Sequence, residues 1–93
     1  MDIVTLAECK ERLSVDFDTK DNEITIMANS IESYLFFGAG ITKDNLDDKS
    51  LALAKEYILL NLYLDYYNVH TDIDDKRLTA IMKQLQVVAM IWM

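Results

Sequence analysis

The chain opens with Thr5-Leu6-Ala7-Glu8-Cys9-Lys10-Glu11-Arg12-Leu13, followed by an acidic link, then Asp21-Asn22-Glu23-Ile24-Thr25-Ile26-Met27-Ala28-Asn29-Ser30-Ile31-Glu32-Ser33-Tyr34-Leu35 and the ending Phe36-Phe37-Gly38-Ala39-Gly40. Thr5-x-x-Glu8 is a capping-box pattern, in which hydroxyl and carboxylate satisfy free amides at a helix start. Leu6, Cys9 and Leu13 recur at helical spacing, so a short first helix is expected. At roughly two turns it would not persist alone and must be held by packing. In the link, Val15 and Phe17 are the apolar residues expected to anchor it to a core. Asp18 or Thr19 is expected to cap a second helix, with Asp21 and Glu23 at its positive end. Ile24, Met27, Ala28, Ile31, Tyr34 and Leu35 make the buried stripe of that helix, and Gly38 is the expected left-handed stop.

Beyond it, Thr42–Lys49 reads as a loop carrying Asp44, Asp47 and Asp48. The third helix is expected at about Ser50–Tyr67. Between Leu51 and Tyr67 only Lys55, Glu56, Asn61 and Asp65 are neither apolar nor tyrosine, and at about 100° per residue these four do not share one face. Leu53, Tyr57, Leu60 and Leu64 make one row; Leu51, Ile58, Leu62 and Tyr66 make another. A helix apolar on two sides in a chain this short implies a partner, which we read as oligomerisation. Asn68–Asp74 is a polar link in which Asp72 or Asp74 is expected to cap a fourth, short helix built on Leu78, Ile81, Met82 and Leu85. Val87-Val88-Ala89-Met90-Ile91-Trp92-Met93 carries no charge, and is expected to dock as a helix extension or to pair as a strand. The fold class is therefore all-α, a bundle of about four helices, with a tail strand as one option.

Composition agrees. The 93 residues make one domain, 1–93, with 87–93 as an apolar tail; a chain of this size buries only about 60–70% of its unfolded surface. Hydrophobic residues reach 52%, a surplus that points to a second buried surface. There is no proline and only two glycines, consistent with helices and short connectors. The net charge of −7 excludes a cationic nucleic-acid footprint, and the lysines and arginines are scattered. One cysteine suits a reducing compartment. Met1–Thr5 lacks the basic region and apolar run of a signal peptide, and no apolar run approaches the ~20 residues of a membrane span. A soluble, intracellular protein is expected.

No constellation of residues reads as an active site. His70, the single histidine, has no second histidine or nearby cysteine to make a metal site, and reads as a surface residue. Asp16-x-Asp18 opens like a calcium loop, but Lys20, Asp21 and Met27 stand where an oxygen ligand, glycine and glutamate belong. Cys9 lies beside Glu8, which opposes thiolate formation. Gly38-x-Gly40 has neither the preceding strand nor the following helix of a phosphate loop. Tyr57, Tyr63, Tyr66, Tyr67 and Trp92 could stack on single-stranded nucleic acid, but Lys55 is the only base among the tyrosines; a protein interface suits them better. No helix shows the cationic face of a helix-turn-helix regulator. We expect no catalytic residue, no metal and no cofactor.

The order and spacing of Leu6, Lys10, Leu13, Val15, Asp16, Asp21, Ile24, Ala28, Ile31 and Tyr34, then the Leu- and Tyr-rich helix ending Asp65-Tyr66-Tyr67-Asn68, then Leu78–Leu85, resemble the head–tail connector family of bacteriophages and prophages. These are small all-helical adaptors of DNA packaging and head completion. The resemblance spans roughly Leu6 to Leu85; the last seven residues have no counterpart in it. It implies a structural virion component without catalysis. Subunits of that family form a homo-oligomeric, dodecamer-like ring at the head–tail junction, reached from the host cytoplasm. The ring contacts the portal protein and a tail-proximal protein, extends the DNA channel with only passive contact to DNA, and meets no membrane. An acidic lumen would let DNA slide without adhering. The expected subunit-contact residues are Tyr57, Leu60, Leu64, Tyr67 and Trp92. The alternative is a small helical regulator that binds another protein through its apolar third helix.

Overall fold

The computed structural model describes residues 2–92, with side-chain surroundings up to Met90. Four helices follow one another: α1 (Leu6–Leu13), α2 (Asp21–Ala39), α3 (Asp48–Tyr67) and α4 (Asp72–Trp92), with a 3-10 turn at Lys43–Asn45 before α3. No strand occurs among the described residues.

The capping box forms as expected: the Glu8 amide donates to Thr5 Oγ1 at 3.1 Å, and the Thr5 amide to Glu8 Oε1 at 2.9 Å. Ser14 ends α1 in the left-handed region at φ 58°, where a serine is tolerated because its amide and that of Val15 close the last turn onto Glu11 and Lys10. Val15 is buried, but Phe17 is 49% exposed and does not anchor the link.

The α2 start departs from expectation. Neither Asp18 nor Thr19 caps it; Lys20 occupies the capping position without a side-chain hydrogen bond. The Lys10 ammonium draws Asp18 to 2.9 Å and Asp21 to 2.8 Å instead, a charge pairing that outcompetes capping. The stripe Ile24, Ala28, Ile31 and Leu35 is buried, Met27 partly so, whereas Tyr34 points outward. The helix passes through Gly38 and stops at Gly40 (φ 67°), whose amide donates to the Phe36 carbonyl. Gly38 sits where α4 crosses closely: Gln86 donates to its carbonyl at 3.0 Å, and Met82 lies alongside.

Asp47 caps α3 by accepting the Ser50 amide at 2.8 Å, so the helix begins two residues earlier than the apolar pattern shows. Thr71, not Asp72 or Asp74, caps α4, with its hydroxyl accepting the Asp74 amide at 3.1 Å while donating to the Asp74 carboxylate. Far from short, α4 is 21 residues long, because the tail continues it to Trp92 rather than pairing as a strand.

Helix α3 is the centre of the bundle and touches α1, α2 and α4. Ala54, Tyr57, Ile58, Leu59, Leu62 and Leu64 are buried around its circumference. Its lack of a polar face is thus met by three neighbours from its own chain. The radius of gyration, 13.0 Å, is close to the about 12 Å of a compact domain of this length. Ile3 and Val4 add to the core from before α1, held there by the Glu32 carboxylate, which accepts the Asp2 and Ile3 amides at 3.0 Å each. Cross-helix ion pairs Lys55–Glu8 and Arg12–Glu56, both 2.9 Å, fasten α1 to α3. Half-exposed pairs of this kind contribute at most about 1 kcal/mol each.

Candidate interface surfaces

The five expected contact residues have different fates. Tyr57 and Leu64 are buried, and Leu60 is partly buried against the core. Tyr67 is 43% exposed, stacks edge-on against Tyr66, and donates its hydroxyl to the Leu13 carbonyl, which ties the end of α3 to the end of α1. The Trp92 side chain lies outside the described residues. The four described residues therefore do not share one outward face. Tyr57, though buried, lines a shallow hollow of about 280 Å³ with Met82, Lys83 and Gln86 of α4.

The most exposed large apolar side chains lie outside α3. On α2, Ile26 and Tyr34 are each 60% exposed and Phe37 is 83% exposed. Ile26, Ser30, Ser33 and Phe37 recur at intervals of four, three and four, so they form one stripe beside Tyr34. From Ile24 to Ile41 the only charge is Glu32, and its oxygens are committed to the Asp2 and Ile3 amides. The outer side of α2 is consequently an uncharged ridge. Its signal was present in the sequence as a charge-free run, but the buried stripe of the same helix masked it.

The outer side of α4 has a different chemistry. Lys76, Thr79, Ala80, Lys83, Val87 and Met90 are all exposed along one side. Lys76, Arg77 and Lys83 are the only charged side chains after Asp75, so the net charge of −7 is +3 beyond Asp75 set against −10 up to and including it. Lys76 and Lys83, like Lys43 and Lys49, pair with no carboxylate among the described residues, whereas Lys10, Arg12, Lys20, Lys55 and Arg77 each do. The small Thr79 and Ala80 leave a hollow of about 450 Å³ between the two lysines, with Asp72 and Asp75 at its rim.

The titratable groups act as structural pins. His70 sits between Asp75, which Nδ1 meets at 2.7 Å, and Asp65, which Nε2 meets at 2.5 Å. The Asp75 contact first, and the Asp65 contact second, push its pKa up. His70 is exposed, as expected of a surface residue, and it also clamps the end of α3 to the start of α4. Burial pushes the Cys9 thiol up to about 11, with Glu8 and Glu32 adding to it, so the cysteine is an inert core residue. Glu8 is held below its usual range, mainly by the Lys55 hydrogen bond. No group of three potential metal ligands occurs among the described residues, and none of their helices is long and apolar enough to cross a membrane. A depression of about 230 Å³ between the N-terminal segment and the 3-10 turn is lined by Glu32, already occupied by backbone amides.

No family model, curated protein or solved structure matches the chain.

Proposed function

We propose that this chain is a structural adaptor that works by assembling, in the manner of the phage head–tail connectors its helix order resembles. Copies would form a ring, which would join the portal and head to the tail and continue the DNA channel. The observation that carries the reading is the uncharged α2 ridge. Ile26, Tyr34 and Phe37 stay in water although the chain already has a filled core, and exposed apolar side chains on a face without charge favour a protein contact. With its own carboxylates spread over most other faces, a chain of net charge −7 meets least electrostatic opposition where it has no charge. In a ring the ridge would serve as the surface for the neighbouring virion protein.

Native mass spectrometry and sedimentation velocity at protein concentrations from micromolar to millimolar test this. A closed oligomer, alone or on addition of a phage portal protein, is the expected result. A strictly monomeric chain that ignores portal and tail proteins would overturn it. A one-to-one complex with an unrelated regulatory target would favour the regulator reading instead.

A further inference from the structure

We propose that in the free protein the outer side of α2 is covered by the same side of a second copy, with the two helices antiparallel. This rests on the α2 ridge being a contact surface, as in the adaptor reading, and names what occupies it before a virion partner does. The first argument is pattern. Helix α2 carries two seams of one spacing: Ile24, Ala28, Ile31 and Leu35 are buried in the core of the chain, and Ile26, Ser30, Ser33 and Phe37, each two positions later, are exposed. Two positions are about 200° around a helix, so the outer seam faces away from the inner one. Its intervals of four, three and four are those at which paired helices interlock. The outer seam is also symmetric about its midpoint, between Ile31 and Glu32. Turned antiparallel on itself, it sets Ile26 against Phe37 and Ser30 against Ser33. Bulk meets bulk at both ends, and the serines between let the axes approach to about 8 Å. The Ser33 hydroxyl already donates to the Asn29 carbonyl at 2.9 Å, so covering it strands no donor.

The second argument is charge. Copies of net charge −7 repel over most faces. This seam carries no charge, and neither do the side chains on its margins, Asn29 and Phe36 on one side and Met27 and Tyr34 on the other. Charges lie behind the margins in both signs: Lys43 with Asp2 and Glu32 beside Phe36, and Lys20 with Glu23 and the His70-bound Asp65 beside Met27. Antiparallel pairing places Glu23 opposite the uncharged Gly40 and sets each helix's positive end beside the other's negative end; parallel pairing would stack Glu23 on Glu23. Phe36 and Phe37, packed edge-on at 5.0 Å, and Tyr34 add roughly 100–200 Å² each from either copy, which puts the pair near the ~1,000 Å² where specific contacts begin. A two-fold pair closes on itself, so it is a store rather than a step of the ring: it keeps the aromatics out of water until a stronger partner takes the ridge.

Sedimentation velocity and double electron–electron resonance on the full-length chain test the pairing. The wild type should sediment as a dimer at millimolar concentration. Nitroxides on Asn22→Cys, at an exposed position, should lie roughly 30 Å apart, against under about 15 Å for a parallel pair, while the buried Cys9 stays unlabelled. Ile26→Glu and Phe37→Lys should each weaken pairing about tenfold or more. Mixing the two should restore it, since only the antiparallel register brings the new charges together. Val87→Asp, at an exposed position of α4, should leave pairing unchanged. Circular dichroism checks that each variant is folded. A short spin distance, no rescue on mixing, or an equal loss in Val87→Asp overturns the pairing. A free protein that stays monomeric yet forms a ring with a phage portal protein sinks only this inference. One that neither pairs nor assembles sinks the ring reading with it.

Discussion

Helices α3 and α4 are almost equal in length, 20 and 21 residues, yet they end in opposite situations. The more apolar of the two, α3, is surrounded by its own chain on three sides. The less apolar, α4, turns Lys76, Lys83, Val87 and Met90 to solvent along one side. Total hydrophobicity is therefore a poor guide to which helix keeps an exposed face. A helix that is apolar all round belongs in the middle of its own bundle, while one with an apolar and cationic outer stripe keeps a surface in reserve.

The sharpest way to break this contrast is to remove a side chain from each helix. Leu62→Ala, at a fully buried position of α3, should cost about 2–5 kcal/mol in urea unfolding. A loss under 1 kcal/mol would mean that α3 is not the core. Next in size is the N-terminal segment, which belongs to the core side of the contrast. Glu32→Gln weakens a carboxylate that holds two amides, and should cost about 1–2 kcal/mol and speed amide exchange at Ile3 and Val4.

The two glycines at the end of α2 should diverge in sign. A Cβ at Gly38 would lie 3.5 Å from Met82, an ordinary contact within a helix, so Gly38→Ala should stabilise by about 0.5–1 kcal/mol. At Gly40, with φ 67°, alanine should destabilise by about 1 kcal/mol. Thermal melts of both variants decide.

The His70 clamp between α3 and α4 gives a smaller, pH-dependent effect. Because its folded pKa lies above the ordinary 6.5, its stabilisation is complete below pH 6.5 and fades as pH rises through the raised value. Melting temperatures of His70→Asn should lose this component of the slope on the alkaline side of 6.5. An unchanged slope would show that the clamp is not formed in solution. Smallest of all, Phe37→Ser and Met90→Ser should change stability by less than about 0.5 kcal/mol, being surface positions. Loss of binding to copies or partners without loss of folding is the outcome that places function on these outer faces.

Much of the fold was legible in the residues. The capping box at Thr5 and Glu8, the buried stripe of α2 from Ile24 to Leu35, and the core positions Leu78, Ile81 and Leu85 all follow from local spacing. Cap choices were less so: Asp18 was drawn to Lys10, and Thr71 took the role expected of its acidic neighbours, because a cap depends on which competing partner lies within reach. The outer surfaces were least legible. Tyr34 fits the buried period of α2 and is exposed; Tyr57 and Leu64 were expected at a subunit contact and are buried in the monomer.

Helices, their order and the charge imbalance around Asp75 were decided by sequence alone, since hydrogen bonds and periodicity act within a turn or two and charge needs no fold to be counted. The packing of α1 and α4 each on both α2 and α3, the clamp of His70 between residues from two helices, and the exposure of the α2 ridge were decided only by tertiary structure. Each depends on which helix covers which face, and that is settled by long-range packing between segments that local periodicity cannot relate.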